Sequence, residues 1–170
     1  MPRTFDPVVI AVVVAGVSMG AFIDLRTRRV PNALTIGLAG LGFALAGLGT
    51  AGLSIPAAAG GFVVGMLLML PGHLLGATGA GDVKLMAALG TLLGPVGIAT
   101  AFTYAAIAGG VLAGIIAIQR RRLRFTVVRT AALVRTGGAN VADIEAPSSN
   151  NRFAYAPAIA IGACLAAFGM

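Results

Sequence analysis

VKLMAALGTLLGPVGIATAFTYAAIAGGVLAGIIAI, residues 83–118, carries no charge after Lys84, and the fold turns on whether it crosses a membrane once or twice. One crossing takes about 20 apolar residues, with roughly 17 as the lower limit. This run is nearly twice that long. Gly94-Pro95-Val96-Gly97 supplies a breaker inside it, because proline lacks the N–H that a helix interior needs and glycine is free to leave helical geometry. The run therefore reads as two helices, the first of which, Val83–Leu93, is short and reaches only partway across.

Composition puts the rest of the chain in the same solvent. Of 170 residues, 58% are hydrophobic and 10% charged, and the mean hydropathy is +0.98. A soluble domain carries roughly 25% charged residues, so this chain cannot cover a water-facing surface. Further apolar segments are Pro7–Ile23, Ala33–Thr50, Ile55–Leu70 and Ala154–Gly169. The expectation is an all-α, polytopic membrane protein of about six transmembrane helices, forming one domain over residues 1–170. The 25 glycines suit helix packing in lipid, where small residues let backbones approach. The single Cys164 excludes an internal disulfide framework and a Cys-rich zinc site.

The net charge of +7 reports topology rather than a nucleic-acid partner, because the basic residues are clustered. Arg26, Arg28 and Arg29 follow the first segment. His73 and Lys84 flank the third connection, and Arg120, Arg121, Arg122, Arg124, Arg129, Arg135 and Arg152 fill the stretch before the last. The turns near Gly49–Ser54 and Gly94–Gly97 have no Lys or Arg. With six spans every basic loop falls on one side, which is cytoplasmic by the positive-inside rule, and both termini lie outside. With 83–118 as one span, Arg120–Arg124 would lie opposite Arg26–Arg29. The N-terminal segment reads as a retained helix and not a signal peptide, since three arginines follow it and only Arg3 precedes it.

Residues 119–153 form the one sizeable polar region. Their first part, RRRLRFTVVRTAALVR, is basic and amphipathic and reads as an anchor on anionic lipid. Their second part is rich in Gly, Ser and Asn and reads as flexible.

There are five acids. Asp6 precedes the first span on the outer side, and Asp143 and Glu145 fall in the polar loop. Asp24 ends the first span and Asp82 opens the fourth, so both face the cytoplasmic side at similar depth. A carboxylate near hydrocarbon costs about 3 kcal/mol on insertion scales and marks a functional candidate. Structural readings stand beside that one. Asp82 can cap the helix beginning at Val83, and Asp24 can pair with Arg26 or Arg28. Two acids that share one proton can also do acid and base work on one water, because like charge and low dielectric keep one protonated while the other is ionised. The ionised group takes a proton from water, which attacks a carbonyl, while the protonated group hydrogen-bonds the carbonyl oxygen. Such a site needs no metal, no cofactor, and no nucleophilic Ser or Cys. Gly79-Ala80-Gly81 would let a substrate backbone come close to Asp82.

GAGD (Gly79–Asp82) followed by Val83-Lys84 resembles the Gly-x-Gly-Asp-x-Lys motif of the type IV prepilin peptidases, which are membrane aspartic proteases. DLRTRRVPN (Asp24–Asn32) resembles their other motif, an Asp ahead of a hydrophobic-Pro-Asn. RFAYAPAIAIGA (Arg152–Ala163) is similar to their C-terminal block, with Ala154 where proline is often found.

The resemblance implies that Asp24 and Asp82 are the catalytic pair. Gly79 and Gly81 then shape the approach, and Lys84 is an electrostatic partner near the pair or a positive-inside anchor. Pro31 and Asn32 form the turn into the second span. The implied substrates are prepilins, cut on the cytoplasmic face of a bacterial inner membrane, after a short basic leader and ahead of a hydrophobic helix. Larger members carry paired Cys-x-x-Cys motifs and also methylate the new N-terminus. Here Cys164 is alone and the connection from Asp24 to Ala33 is short, so a peptidase without methyltransferase activity is expected. The small form is similar to enzymes of tight-adherence (Flp-type) pilus systems.

Presenilin-type proteases share Gly-x-Gly-Asp but place the first Asp in a Tyr-Asp context and carry Pro-Ala-Leu, neither of which is present here. A noncatalytic assembly factor or small transporter subunit is the remaining alternative. It requires Asp24 and Asp82 to lie apart, each paired with Arg or Lys.

Overall fold

The computed structural model describes residues 5–27, 29–50, 52–75, 78–119 and 155–169. Five helices make up these residues: α1 (Pro7–Thr27), α2 (Asn32–Gly47), α3 (Ile55–Leu74), α4 (Ala80–Gln119) and α5 (Ala156–Ala167). The protein is all-helical over this range.

Local chemistry marks the helix ends. Asp6 opens α1, its Oδ1 accepting from the Val8 N–H at 2.8 Å, a side-chain cap for an otherwise orphaned donor. Pro31, with φ −65° and ψ 138°, leads into α2. At the other end of α2 the Thr50 N–H donates to Leu45 O at 3.2 Å and the Gly49 N–H to Ala46 O at 3.3 Å. Gly49 has φ 71°, which completes a Schellman stop. Ser54 Oγ then accepts from the Ala57 N–H at the start of α3, and Pro56 occupies its first turn, where no N–H is missed.

The first half of α4 is the centre of the molecule. Leu85, Met86, Leu89, Leu92 and Leu93 are fully buried, and α3 and α5 make the broadest contacts with α4. One core runs through all five helices, from Val9, Val13 and Val17 through Leu38 and Met69 to Ile159. Between chains already in lipid, association depends on close packing rather than on escape from water. Gly61 of α3 therefore meets Gly90 of α4 backbone to backbone, where a Cβ on either would collide with the other's carbonyl oxygen. Outward-facing Ile36, Leu41, Leu67, Ile107 and Val111 remain exposed, an apolar exterior suited to lipid.

The expected division at Gly94 is present, but as a break within one element. Gly94 has φ 70° and ψ 179°, left-handed geometry that glycine adopts without strain, and Pro95 follows. Helix continues on both sides.

The expected six spanning helices are not supported among the described residues. Among the described residues three helices, α1, α3 and α4, are long and apolar enough to cross a membrane, while α2 and α5 are shorter apolar helices. The discrepancy is one of length. The Schellman stop ends α2 at Gly47, short of the expected Thr50, and α5 covers only part of Ala154–Gly169. From Ala80 to Leu93, α4 rises about 21 Å before the break, less than a hydrocarbon core of about 30 Å. The loop expected to be basic and flexible, with Arg120–Arg124, Arg129, Arg135, Asp143, Glu145 and Arg152, lies outside the described residues, as do Arg3 and Arg28.

Candidate active site

Asp24 continues a stripe on α1. Val9, Val13, Gly16, Val17, Gly20 and Asp24 recur three or four residues apart, and all are buried, so they share one face. That face packs chiefly on α5, whose first residue, Ala156, has its backbone N–H beside the Asp24 carboxylate. Asp24 Oδ2 is buried and has no hydrogen-bond partner among the described residues.

The ion pair considered for Asp24 is not made with Arg26. Residues two apart on a helix point away from one another, and the Arg26 guanidinium lies 4.4 Å over the Phe22 ring instead. Arg28, the other candidate, is outside the described residues.

Asp82 lies in the first turn of α4, which begins at Ala80 rather than at the expected Val83. It is therefore not the N-cap. It is the third helical residue, and its Oδ2 reaches back to accept from the Gly79 N–H at 3.1 Å. This is the carboxylate half of a capping box, and the positive end of α4 favours the charge. Each acid thus faces a helix N-terminus, Asp82 that of its own α4 and Asp24 that of α5.

Several contacts bring the two acids together. One turn deeper than Asp24, Gly20 lies against Leu85, whose Cδ2 would be 3.4 Å from a Cβ at position 20. Leu85 is itself about one turn beyond Asp82. At the surface end, Gly81 packs on Val30, whose Cβ would be 3.0 Å from a Cβ at position 81. Lys84 Nζ donates to Asn32 Oδ1 at 3.0 Å. The stretch from Gly79 to Lys84 is thereby docked along Val30–Asn32, and Asp24 and Asp82 lie within Coulombic range of each other. They are the buried charged side chains among the described residues, each 6% exposed. They belong to no larger His, Cys, Asp or Glu cluster there.

Two of the sequence expectations take a different form. The open face of Gly81 is filled by Val30, and the open face of Gly79 looks onto Asp82 Oδ2 itself. Their smallness lets the chain fold tightly around the acid, so neither backbone is bared to an incoming chain at those faces. The Lys84 ammonium bonds the Asn32 amide, and Asn32 is the first residue of α2 as well as part of its entry turn.

Two further residues border the site without any part in it read from the sequence. Tyr155 is half-buried ahead of α5 with its ring against Gly109 of α4. Burial pushes its phenol up, and the nearby Asp82 charge adds to that. His73 closes the α3–α4 connection, its Nδ1 lying 3.1 Å from Thr78 O. The aromatic within Arg152–Ala163 was the only signal for the first. A histidine near a basic flank gave none for the second.

A buried pair of acids held beside helix N-termini, with no cation bound to either among the described residues, has the parts for acid–base work on a water. The family described as the type IV leader peptidase family matches residues 11–114, a range that takes in Asp24, Asp82, all of α2 and α3 and most of α1 and α4. Comparison with curated proteins and with solved structures gives no match. The chain, all-helical over its described residues and apolar enough to cross a membrane, with two buried aspartates at helix ends within Coulombic range of each other, belongs to the type IV leader peptidase family and is a peptidase of the prepilin-leader type.

Proposed function

We propose that the protein is an aspartic endopeptidase that removes the short basic leader from type IV-like prepilins of the Flp kind at the cytoplasmic face of the inner membrane. The observation that carries this reading is the convergence of Asp24 and Asp82, both buried, with Arg26 turned onto Phe22 and Lys84 onto Asn32. A noncatalytic scaffold would hold those acids as ion pairs. The cytoplasmic placement is supported by the Arg and Lys bias of the connections next to both acids.

In this mechanism one carboxyl is ionised and the other protonated. The ionised group takes a proton from a water lying between them, and the water oxygen attacks the scissile carbonyl carbon. The protonated group donates to the carbonyl oxygen as the tetrahedral intermediate forms. Collapse breaks the C–N bond, and a proton passes from the carboxyl pair to the leaving amine. The substrate's apolar helix lies against the exposed apolar faces of the protein, and its basic leader projects toward the cytoplasm. No part of this route calls on a metal or a cofactor. Anionic lipid holds the basic loop of residues 119–153, and nucleic acid is not a partner. The lone Cys164 and the short α1–α2 connection support peptidase activity without methyl transfer.

The test is cleavage of a co-expressed prepilin by wild type, Asp24→Asn and Asp82→Asn, with membrane insertion checked for each. Both variants insert and fail to cut. Cleavage by either at near wild-type rate overturns the reading.

A further inference from the structure

We propose that His73 is a positioning residue for Asp82, acting through the peptide group that joins Thr78 to Gly79. The proposal rests on the reading of Asp82 as catalytic and assigns a residue outside both aspartate motifs to the same site.

The contact chain is short and continuous. His73 Nδ1 lies 3.1 Å from Thr78 O. A carbonyl oxygen only accepts, so Nδ1 carries the proton and donates. The next atoms along are the Gly79 nitrogen and its hydrogen, part of the same peptide plane, and that N–H donates to Asp82 Oδ2 at 3.1 Å. One amide unit therefore accepts from His73 on one side and donates to Asp82 on the other. Hydrogen bonds in series polarise one another. Drawing electron density toward Thr78 O makes the Gly79 N–H a better donor to the carboxylate.

The rest of the connection keeps that amide in place. The Thr78 N–H donates to Gly72 O at 3.2 Å, so both backbone groups of Thr78 are held by the last turn of α3. The Thr78 side chain lies on Gly72, where a Cβ would be 3.3 Å from its Oγ1. The Asp82 N–H in turn donates to Gly79 O at 3.0 Å. The orientation of the Thr78–Gly79 plane decides where Asp82 Oδ2 sits, and His73 is the side chain that fixes that plane from α3. Without it the amide can tilt, and Oδ2 loses the register with Asp24 that a shared water requires. Misplacement by about 1 Å costs on the order of a hundredfold in rate.

His73→Asn, His73→Gln and His73→Ala separate positioning from bulk. An asparagine amide nitrogen falls near the position of Nδ1, whereas a glutamine nitrogen falls near Nε2. Full-length protein in detergent is assayed on a prepilin substrate carrying its basic leader and apolar helix. His73→Ala lowers kcat about tenfold to a hundredfold with KM within about twofold, His73→Asn recovers most of the loss, and His73→Gln does not. A readout independent of cleavage accompanies this. Labelling with carbonyl-13C threonine and 15N glycine selects the Thr78–Gly79 and Thr136–Gly137 amides. The Gly79 amide proton moves upfield in His73→Ala and returns in His73→Asn. Wild-type kcat together with an unmoved Gly79 resonance in His73→Ala overturns the proposal, as does equal recovery by Asn and Gln. An active Asp82→Asn variant instead overturns the catalytic reading on which it rests, while the Gly79 resonance still reports the hydrogen-bond chain.

Discussion

Lys84 Nζ donates to Asn32 Oδ1 at 3.0 Å, joining the start of the second turn of the helix that carries Asp82 to the first residue of the helix that follows Asp24. The bond is exposed, so its worth to stability is small. Its consequence is geometric. Lys84→Met and Asn32→Ala should each lower kcat/KM about fivefold, as expected for about 1 kcal/mol of lost positioning. The double variant should be little worse than either alone, because both remove one interaction. Fully additive losses in a cleavage assay would mean that the two side chains act separately.

Gly81 packs closely on Val30 between the two aspartate-bearing segments. Gly81→Ala puts a Cβ about 3.0 Å from Val30 Cβ, an overpacking cost of about 1–3 kcal/mol. Activity should fall tenfold or so, and adding Val30→Ala should restore much of it. Loss that Val30→Ala leaves untouched would place the cause elsewhere, on the substrate side of the site.

Gly61 and Gly90 have no such relief, since each faces backbone of the other helix. Gly61→Leu or Gly90→Leu should lower the unfolding temperature in detergent and reduce the folded yield by forcing α3 from α4, at a cost at or above the upper end of about 1–3 kcal/mol. Thermal unfolding of the purified variants is the check. An unchanged transition would contradict the backbone contact.

Tyr155 offers a spectroscopic report on Asp82. Burial and then the Asp82 charge hold the phenol above its ordinary value. Removing the charge in Asp82→Asn takes away one of the two upward pushes. In a Tyr104→Phe background, ultraviolet titration of Tyr155 should therefore move to lower pH in Asp82→Asn, while burial still keeps it above the ordinary range. A midpoint that does not move would separate the two groups in space.

Much of the site was legible because the sequence writes it in rare symbols. In a chain this poor in charge, Asp24 and Asp82 stand out at the ends of apolar runs, and the Gly94-Pro95 break is plain from backbone chemistry. Crossing number was less legible. An apolar stretch shows where a helix is tolerated, whereas its length depends on end contacts such as the Schellman bonds from Gly49 and Thr50. α4 starts three residues before the expected Val83 because Gly79, with no side chain, caps through its backbone and lets Asp82 reach back. The His73 contact was invisible because it depends on a fold of the α3–α4 connection that no periodicity announces. Gly81 was read for the space it leaves, and only packing reveals that Val30 fills it.

The central claim is that Asp24 and Asp82 act as one acid–base unit, and the most direct measurement is single-turnover cleavage of a prepilin by Asp24→Asn, Asp82→Asn and the double variant. The account predicts that each single variant is reduced to background, that the double variant is no slower than either, and that all three remain folded in the membrane. Residues acting as a unit give such non-additivity. Near wild-type cleavage by either single variant would contradict it.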